Sequence, residues 1–249
     1  MRTKKPLIQV LERAFDILEM LGRTKRAYRS SEIAAELNLS QQTVNNLLRT
    51  LYERGYLSQT ERREYRLGGQ CFYLGACADR WQELRKETGK VLPELRKETG
   101  LTVFAGVPEN DRLFCVAMNN WKPDRIPQDW TEELHSTASG RILLSALSEI
   151  ERNKLFARGW RKKMTPATVV DPGELERICR QTAKDGYAEI RGQSRPEVCS
   201  LAVPVRDRAG KVIAALALSG REEEWERIPL ERKLELLRRA AEKVKVGSC

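Results

Sequence analysis

A three-residue break, Asn38-Leu39-Ser40, separates two short amphipathic segments and limits what the first third of this chain can fold into. Before the break, SEIAAEL puts Ile33, Ala34 and Leu37 on one helical face, with Ser30 expected as N-cap and Glu32 near the positive end of the helix. After it, QQTVNNLLRTLY puts Val44, Leu47, Leu48 and Leu51 on one stripe, with Ser40 as N-cap. A preceding helix over 7–21 carries Leu11, Ala14, Phe15, Leu18 and Leu21, and Gly22 ends it. Gly55 stops the third helix, and Tyr56–Ser58 and Glu64–Leu67 then read as two strands around a charged turn, Thr60-Glu61-Arg62-Arg63. Two short helices across a tight break form a helix-turn-helix, and the hairpin adds a wing.

In that motif the second helix enters the DNA major groove. At 100° per residue, Gln42, Asn46 and Arg49 lie opposite the apolar stripe, with Asn45 beside them. Gln and Asn can bond adenine edges in pairs, and Arg can do so with guanine. Gln41 and Thr43 sit at the helix start, within reach of base edges and phosphates. Arg62 and Arg63 would place the wing on the phosphate backbone or in the minor groove, and Arg2, Lys4 and Lys5 would add phosphate contacts from an N-terminal arm. Charge supports a polyanionic partner. The chain is +10 overall, and residues 1–80, with 14 basic and 9 acidic side chains, hold half of that excess in a third of the length.

Beyond residue 70 a linker helix is expected over 70–84, with Phe72, Leu74, Cys77, Ala78, Trp81 and Leu84 as its apolar set and Trp81 helping to hold a dimer. The heptapeptide ELRKETG occurs at 83–89 and again at 94–100, which reads as two short helices or one bent near Pro93. Strands are expected at Thr102–Val107, Leu113–Met118, Tyr187–Ile190, Val198–Arg206 and Lys211–Ser219, the last two joined by the turn Asp207-Arg208-Ala209-Gly210. Helices are expected at 138–147, 149–157, 171–185 and 230–246. This is an α+β fold with a mostly antiparallel sheet. The expected boundaries are 1–69 for a winged helix-turn-helix domain, 70–84 for the linker helix and 85–249 for a second domain.

The chemistry of the second domain is sparse. None of Cys71, Cys77, Cys115, Cys179, Cys199 and Cys249 forms a CxxC, and His135 is the single histidine. Reduced thiols in a cytoplasmic protein, and no metal or cofactor, are the expectation. His135 reads as structural. No GxSxG, phosphate-binding loop, dinucleotide fingerprint or HExxH is present, so the chain is expected not to be an enzyme. No apolar run is long enough for a membrane span. Thr137-Ala138-Ser139-Gly140 places small residues at a helix start, where open N–H groups favour an anion or an ordinary cap. Trp121 and Trp130, near Pro123 and Pro127, would line a lid or simply pack.

The runs VLERAFDILEML, SSEIAAELNLSQQTVNNLLRTLYERGYL and EYRLG resemble the winged helix of the IclR family of bacterial transcriptional regulators. LHSTASGRILLSAL at 134–147, DGYAEI and SLAVPVRDRAGKVIAALALSG at 200–220 are similar to its second domain. The resemblance implies a linker helix, a GAF/PAS-like α/β effector domain, a homo-oligomer (dimer or tetramer), double-stranded operator DNA as partner, and a small-molecule effector, anionic or aromatic. It places the effector between Thr137–Gly140 and the sheet positions Phe104, Ser200, Ala217 and Ser219. This chain departs from the family pattern at Gly192-Gln193-Ser194, where the family often has an acidic pair and where Arg191 and Arg195 lie nearby. It departs also at Ser200 (usually Cys), at Ala217 (often Ser) and at Asn46 (often Arg). The alternatives are a small-molecule enzyme that uses a winged helix for assembly, or a winged helix that contacts protein or RNA.

Overall fold

The computed structural model describes residues 7–24, 26–77, 81–109, 111–119, 131–159 and 161–247. The chain divides into two compact units at Arg80/Trp81.

The first unit opens with α1 (Gln9–Thr24), α2 (Ser30–Glu36) and α3 (Gln41–Glu53), followed by the hairpin β1 (Leu57–Gln59) and β2 (Tyr65–Leu67). Its core joins Ile17, Met20 and Leu21 of α1 to Ile33 and Ala34 of α2 and to Val44, Leu47, Leu48 and Leu51 of α3. Tyr28 and Leu57 complete it. Ser40 caps α3 as expected, accepting the Thr43 N–H at 3.2 Å. Ser30 does not cap α2. Arg29 holds that position, and the Glu32 carboxylate accepts its N–H at 2.7 Å, which leaves Ser30 free to accept Gln41 Nε2 at 3.0 Å. The expected α1 stripe is also corrected. Leu11 and Phe15 are exposed, and the buried face centres on Ile17, Met20 and Leu21. The helix α4 (Gly69–Cys77) buries none of its residues.

The second unit begins with α5 (Gln82–Thr99), one helix that runs through both ELRKETG copies and Pro93. Eleven residues make about three helical turns, so the two copies share a face. Leu84 and Leu95 are both buried, and the Thr88 and Thr99 hydroxyls each donate to the carbonyl four residues back at 2.7 Å. Gly100, at φ +69, ends the helix in the left-handed region. Trp81 precedes α5 and, half-buried, packs against the core of this unit.

A six-stranded sheet follows, in the order β5-β4-β3-β8-β7-β6. Its strands are β3 (Thr102–Glu109), β4 (Arg112–Met118), β5 (Thr131–Glu133), β6 (Ala188–Arg191), β7 (Val198–Arg206) and β8 (Val212–Arg221), and every pairing is antiparallel. Strand β5 was not foreseen. Between and after the strands lie α6 (Ala138–Ser145), α7 (Glu149–Phe156), α8 (Pro172–Asp185), the short α9 (Glu222–Trp225) and α10 (Leu230–Lys243). Alternation along the strands divides the core. Val103, Leu201, Val203, Leu216 and Leu218 face α5 and α10, whereas Ala202, Ala215 and Ala217 face α6. The small side chains on the second face let α6 lie close to the sheet, and α8 packs against α6.

Candidate functional site

In α3 the apolar stripe is inward, and Gln41, Gln42, Asn45, Asn46 and Arg49 are exposed on the other side. Thr43 is half-buried, and its hydroxyl lies 2.8 Å from the Ser40 hydroxyl, so the cap occupies it. Gln41 is also engaged, since its amide donates to Asn45 Oδ1 at 2.9 Å. Arg49 is 3.6 Å from Glu53 with both side chains largely in solvent, an exposed pair that costs little to break. Arg62 and Arg63 are exposed at the hairpin tip. Arg63 adopts φ +58, and the turn is closed by Thr60 N–H on the Glu64 carbonyl at 2.9 Å. Arg66 was not singled out from the sequence. It is exposed on β2, and its Nε donates to Ser58 at 3.2 Å, adding a third cation to the wing; its outward place in a short strand was the available signal. Arg2, Lys4 and Lys5 lie outside the described residues.

In the second unit, Phe104 pairs with Ala217 across β3 and β8, and Ala217 with Ala202 across β8 and β7. Ser200 pairs with Ser219. Strand alternation puts these residues on the α6 face, where Phe104 packs with the α6 core. The Ser200 hydroxyl donates to Leu218 O at 2.9 Å and the Ser219 hydroxyl to Cys199 O at 3.3 Å. The first turn of α6 faces the same layer. Thr137 caps it by accepting the Gly140 N–H at 3.0 Å, and Ala138, Ser139 and Gly140 are buried. The Ser139 hydroxyl is buried without a hydrogen-bond partner.

His135, just before α6, is fully buried, and its Nε2 lies 2.9 Å from the Lys162 carbonyl. Burial lowers its pKa first, and the nearby charges of Arg161 and Arg141 lower it further. The loop 161–170 is fastened to the turn after β6: Thr165 donates to Gly192 O at 2.6 Å and Thr168 to Gln193 O at 2.7 Å. Arg141 donates to the Gln193 side-chain oxygen. Arg191 pairs with Glu226 at 2.6 Å and Glu189 at 3.3 Å. Trp121, Pro123, Pro127 and Trp130 lie outside the described residues. A cleft of about 530 Å³ lies elsewhere, between the β7–β8 hairpin and the end of α10, and none of the expected effector residues lines it.

Among the described residues no group of His, Cys, Asp and Glu side chains could hold a metal ion, and no helix is long and apolar enough to cross a membrane. Cys71, Cys77, Cys179 and Cys199 are free thiols, and burial pushes Cys179 up to about 11, away from reactivity.

The sequence matches the IclR helix-turn-helix domain over residues 10–61 and the C-terminal domain of the bacterial transcriptional regulator IclR over 79–246. This chain belongs to the IclR family. It is a transcriptional regulator with a helix-turn-helix DNA-binding domain and a C-terminal effector-binding domain. It is 31% identical to the transcriptional regulator XynR of Escherichia coli K12, over 86% of each chain. It is 30% identical to the glycerol operon regulatory protein of Streptomyces coelicolor, over 86% of this chain and 85% of that one. Its fold is shared with the Thermotoga maritima IclR structure at TM-score 0.75 and 24% identity, covering 95% of this chain and 97% of that one. It is also shared with an IclR homologue from Microbacterium hydrocarbonoxydans crystallised with 4-hydroxybenzoate, at TM-score 0.73 and 22% identity, covering 94% and 97%.

Proposed function

We infer that this IclR-family regulator reads a double-stranded operator with the exposed face of α3, chiefly Gln42, Asn45, Asn46 and Arg49. Gln41 and Thr43 act at the start of the helix, and Arg62, Arg63 and Arg66 hold the wing on the phosphates. The observation that carries this reading is the separation of faces on α3: four leucine and valine side chains inward, an amide- and guanidinium-bearing surface outward. Residues 70–84 link this reader to an effector domain that begins near 85. A small effector, anionic or aromatic, would sit between Thr137–Gly140 and Phe104, Ser200, Ala217 and Ser219. The 4-hydroxybenzoate in the Microbacterium homologue supports an aromatic carboxylate as one such compound.

The regulator works as a homo-oligomer in the cytoplasm and has no enzymatic activity. Large apolar side chains stand open on the first unit: Leu7, Ile8, Val10, Leu11 and Phe15 on or beside α1, and Phe72, Tyr73 and Leu74 on α4. Apolar surface of this extent in a DNA-binding unit supports pairing with a second copy, and an operator with two half-sites would match it. Fluorescence anisotropy of the full chain on duplex DNA from upstream of its own gene, against scrambled duplex and across a salt series, tests the reading. Sequence-preferring binding with a slope of roughly −0.9 per neutralised phosphate is expected. Equal, salt-insensitive binding to both duplexes, persisting with genomic fragments, would overturn it.

A further inference from the structure

Arg141 is 5% exposed, in the first turn of α6, yet no carboxylate among the described residues pairs with it. Its Nη2 reaches only the neutral amide oxygen of Gln193, and its Nε is buried with no hydrogen-bond partner. Burial disfavours its charge, and the carboxylate whose charge reaches it, Glu174, makes no hydrogen bond to it and is held bidentately by Arg177. Arg152, the other buried arginine of this layer, shows the usual arrangement: Glu176 takes its Nε and Nη2 at 2.7 and 2.8 Å. A guanidinium removed from water without a counter-charge is costly, and a carboxylate is its best planar partner. The Gln193 backbone is fixed by Thr168, so its side-chain amide is held against Arg141.

We propose that Arg141 is the anchor for a carboxylate on the effector, and that the Gln193 amide holds the guanidinium until the ligand's oxygens displace it. This rests on the effector-domain reading above and assigns the side chain that would hold the anionic end of its ligand. The buried, unpartnered Ser139 hydroxyl at the same helix start and the positive end of α6 add donors to an anion arriving there. The pair also accounts for a stretch without acids at Gly192-Gln193-Ser194, because an acid at 193 would neutralise Arg141 permanently.

The test uses the full chain in thermal unfolding, with acetate, succinate, benzoate and 4-hydroxybenzoate as probes at ionic strength matched with chloride, and benzamide as the neutral control. At least one carboxylate is expected to raise the wild-type midpoint, and benzamide to leave it unchanged. Gln193→Glu supplies the missing counter-ion internally. It is expected to raise the midpoint of the free protein, to lose that gain at pH 3, and to weaken carboxylate binding at least tenfold. Arg141→Met is expected to abolish the carboxylate response, and Arg141→Lys to keep part of it. A Gln193→Glu midpoint equal to or below wild type overturns the proposal. So does a carboxylate response that survives Arg141→Met, or a wild-type protein that responds to none of the four acids. Anisotropy on operator duplex is read separately. Loss of DNA binding in the wild type would sink the regulator reading without touching the anchor.

Discussion

A Cβ built on Gly140 would stand 2.0 Å from the carbonyl oxygen of Leu134. The start of α6 is thus pressed against the turn that precedes it, and only a residue without a side chain fits. The obstacle is backbone, which cannot rotate away. Gly140→Ala is expected to destabilise the second unit by at least about 1–3 kcal/mol, the usual cost of overpacking. Chemical denaturation followed at the tryptophans reads this directly, and a midpoint within error of wild type would contradict the close approach.

Among the described residues, Arg49 pairs only with Glu53, and that contact is exposed. Arg49→Ala should leave unfolding within about 0.5 kcal/mol of wild type and weaken operator binding by about 1–3 kcal/mol through loss of a base-edge contact. Equal affinities in anisotropy titrations would remove Arg49 from the reading set.

Bonds from Arg152 and, secondarily, Arg180 hold the Glu176 carboxyl down at about 2, below its ordinary 4.5. A depressed acid stabilises the fold above its unfolded pKa, and that contribution is lost as pH falls from about 4.5 towards 2. Glu176→Gln should therefore be less stable than wild type at pH 7, with the gap closing across that window. A difference that stays constant from pH 7 to pH 2 would show that the pair contributes nothing through charge.

The single histidine permits a clean titration. Burial holds His135 below its usual 6.5, so its ring should remain neutral through pH 6.5 and protonate only at more acid pH. Because the folded state resists the proton, this residue withdraws stability as pH drops below 6.5. Carbon–proton NMR of the ring gives the midpoint, and a value at or above 6.5 would refute the assignment.

Phe15 and Phe72 are 57% and 82% exposed, so replacing both by lysine should spare the fold of the monomer. Light scattering should then show a lower mass than wild type, with far-UV circular dichroism unchanged. An unaltered mass would move the oligomer contact away from α1 and α4.

Local sequence determined the reader. The break at Asn38-Leu39-Ser40, the Ser40 cap and the stripe Val44, Leu47, Leu48 and Leu51 make the helix pair, because capping and a 3.6-residue period act over neighbouring residues. Period-two alternation likewise made β3, β7 and β8 legible, and with them which side of the sheet Phe104, Ser200, Ala217 and Ser219 share. Where periodicity allowed more than one answer, tertiary packing chose. The same hydrophobic signal that marks a core marked Leu11, Phe15 and Phe72, and only the folded unit shows that they stand exposed. Pro93 left two short helices or one bent helix open, and burial of Leu84, Val91, Leu92 and Leu95 along one face goes with a single α5 through it. The state of Arg141 was beyond local reading altogether. A charge is compensated or not by groups distant in sequence, 52 positions away in the case of Gln193, and only the fold brings them together.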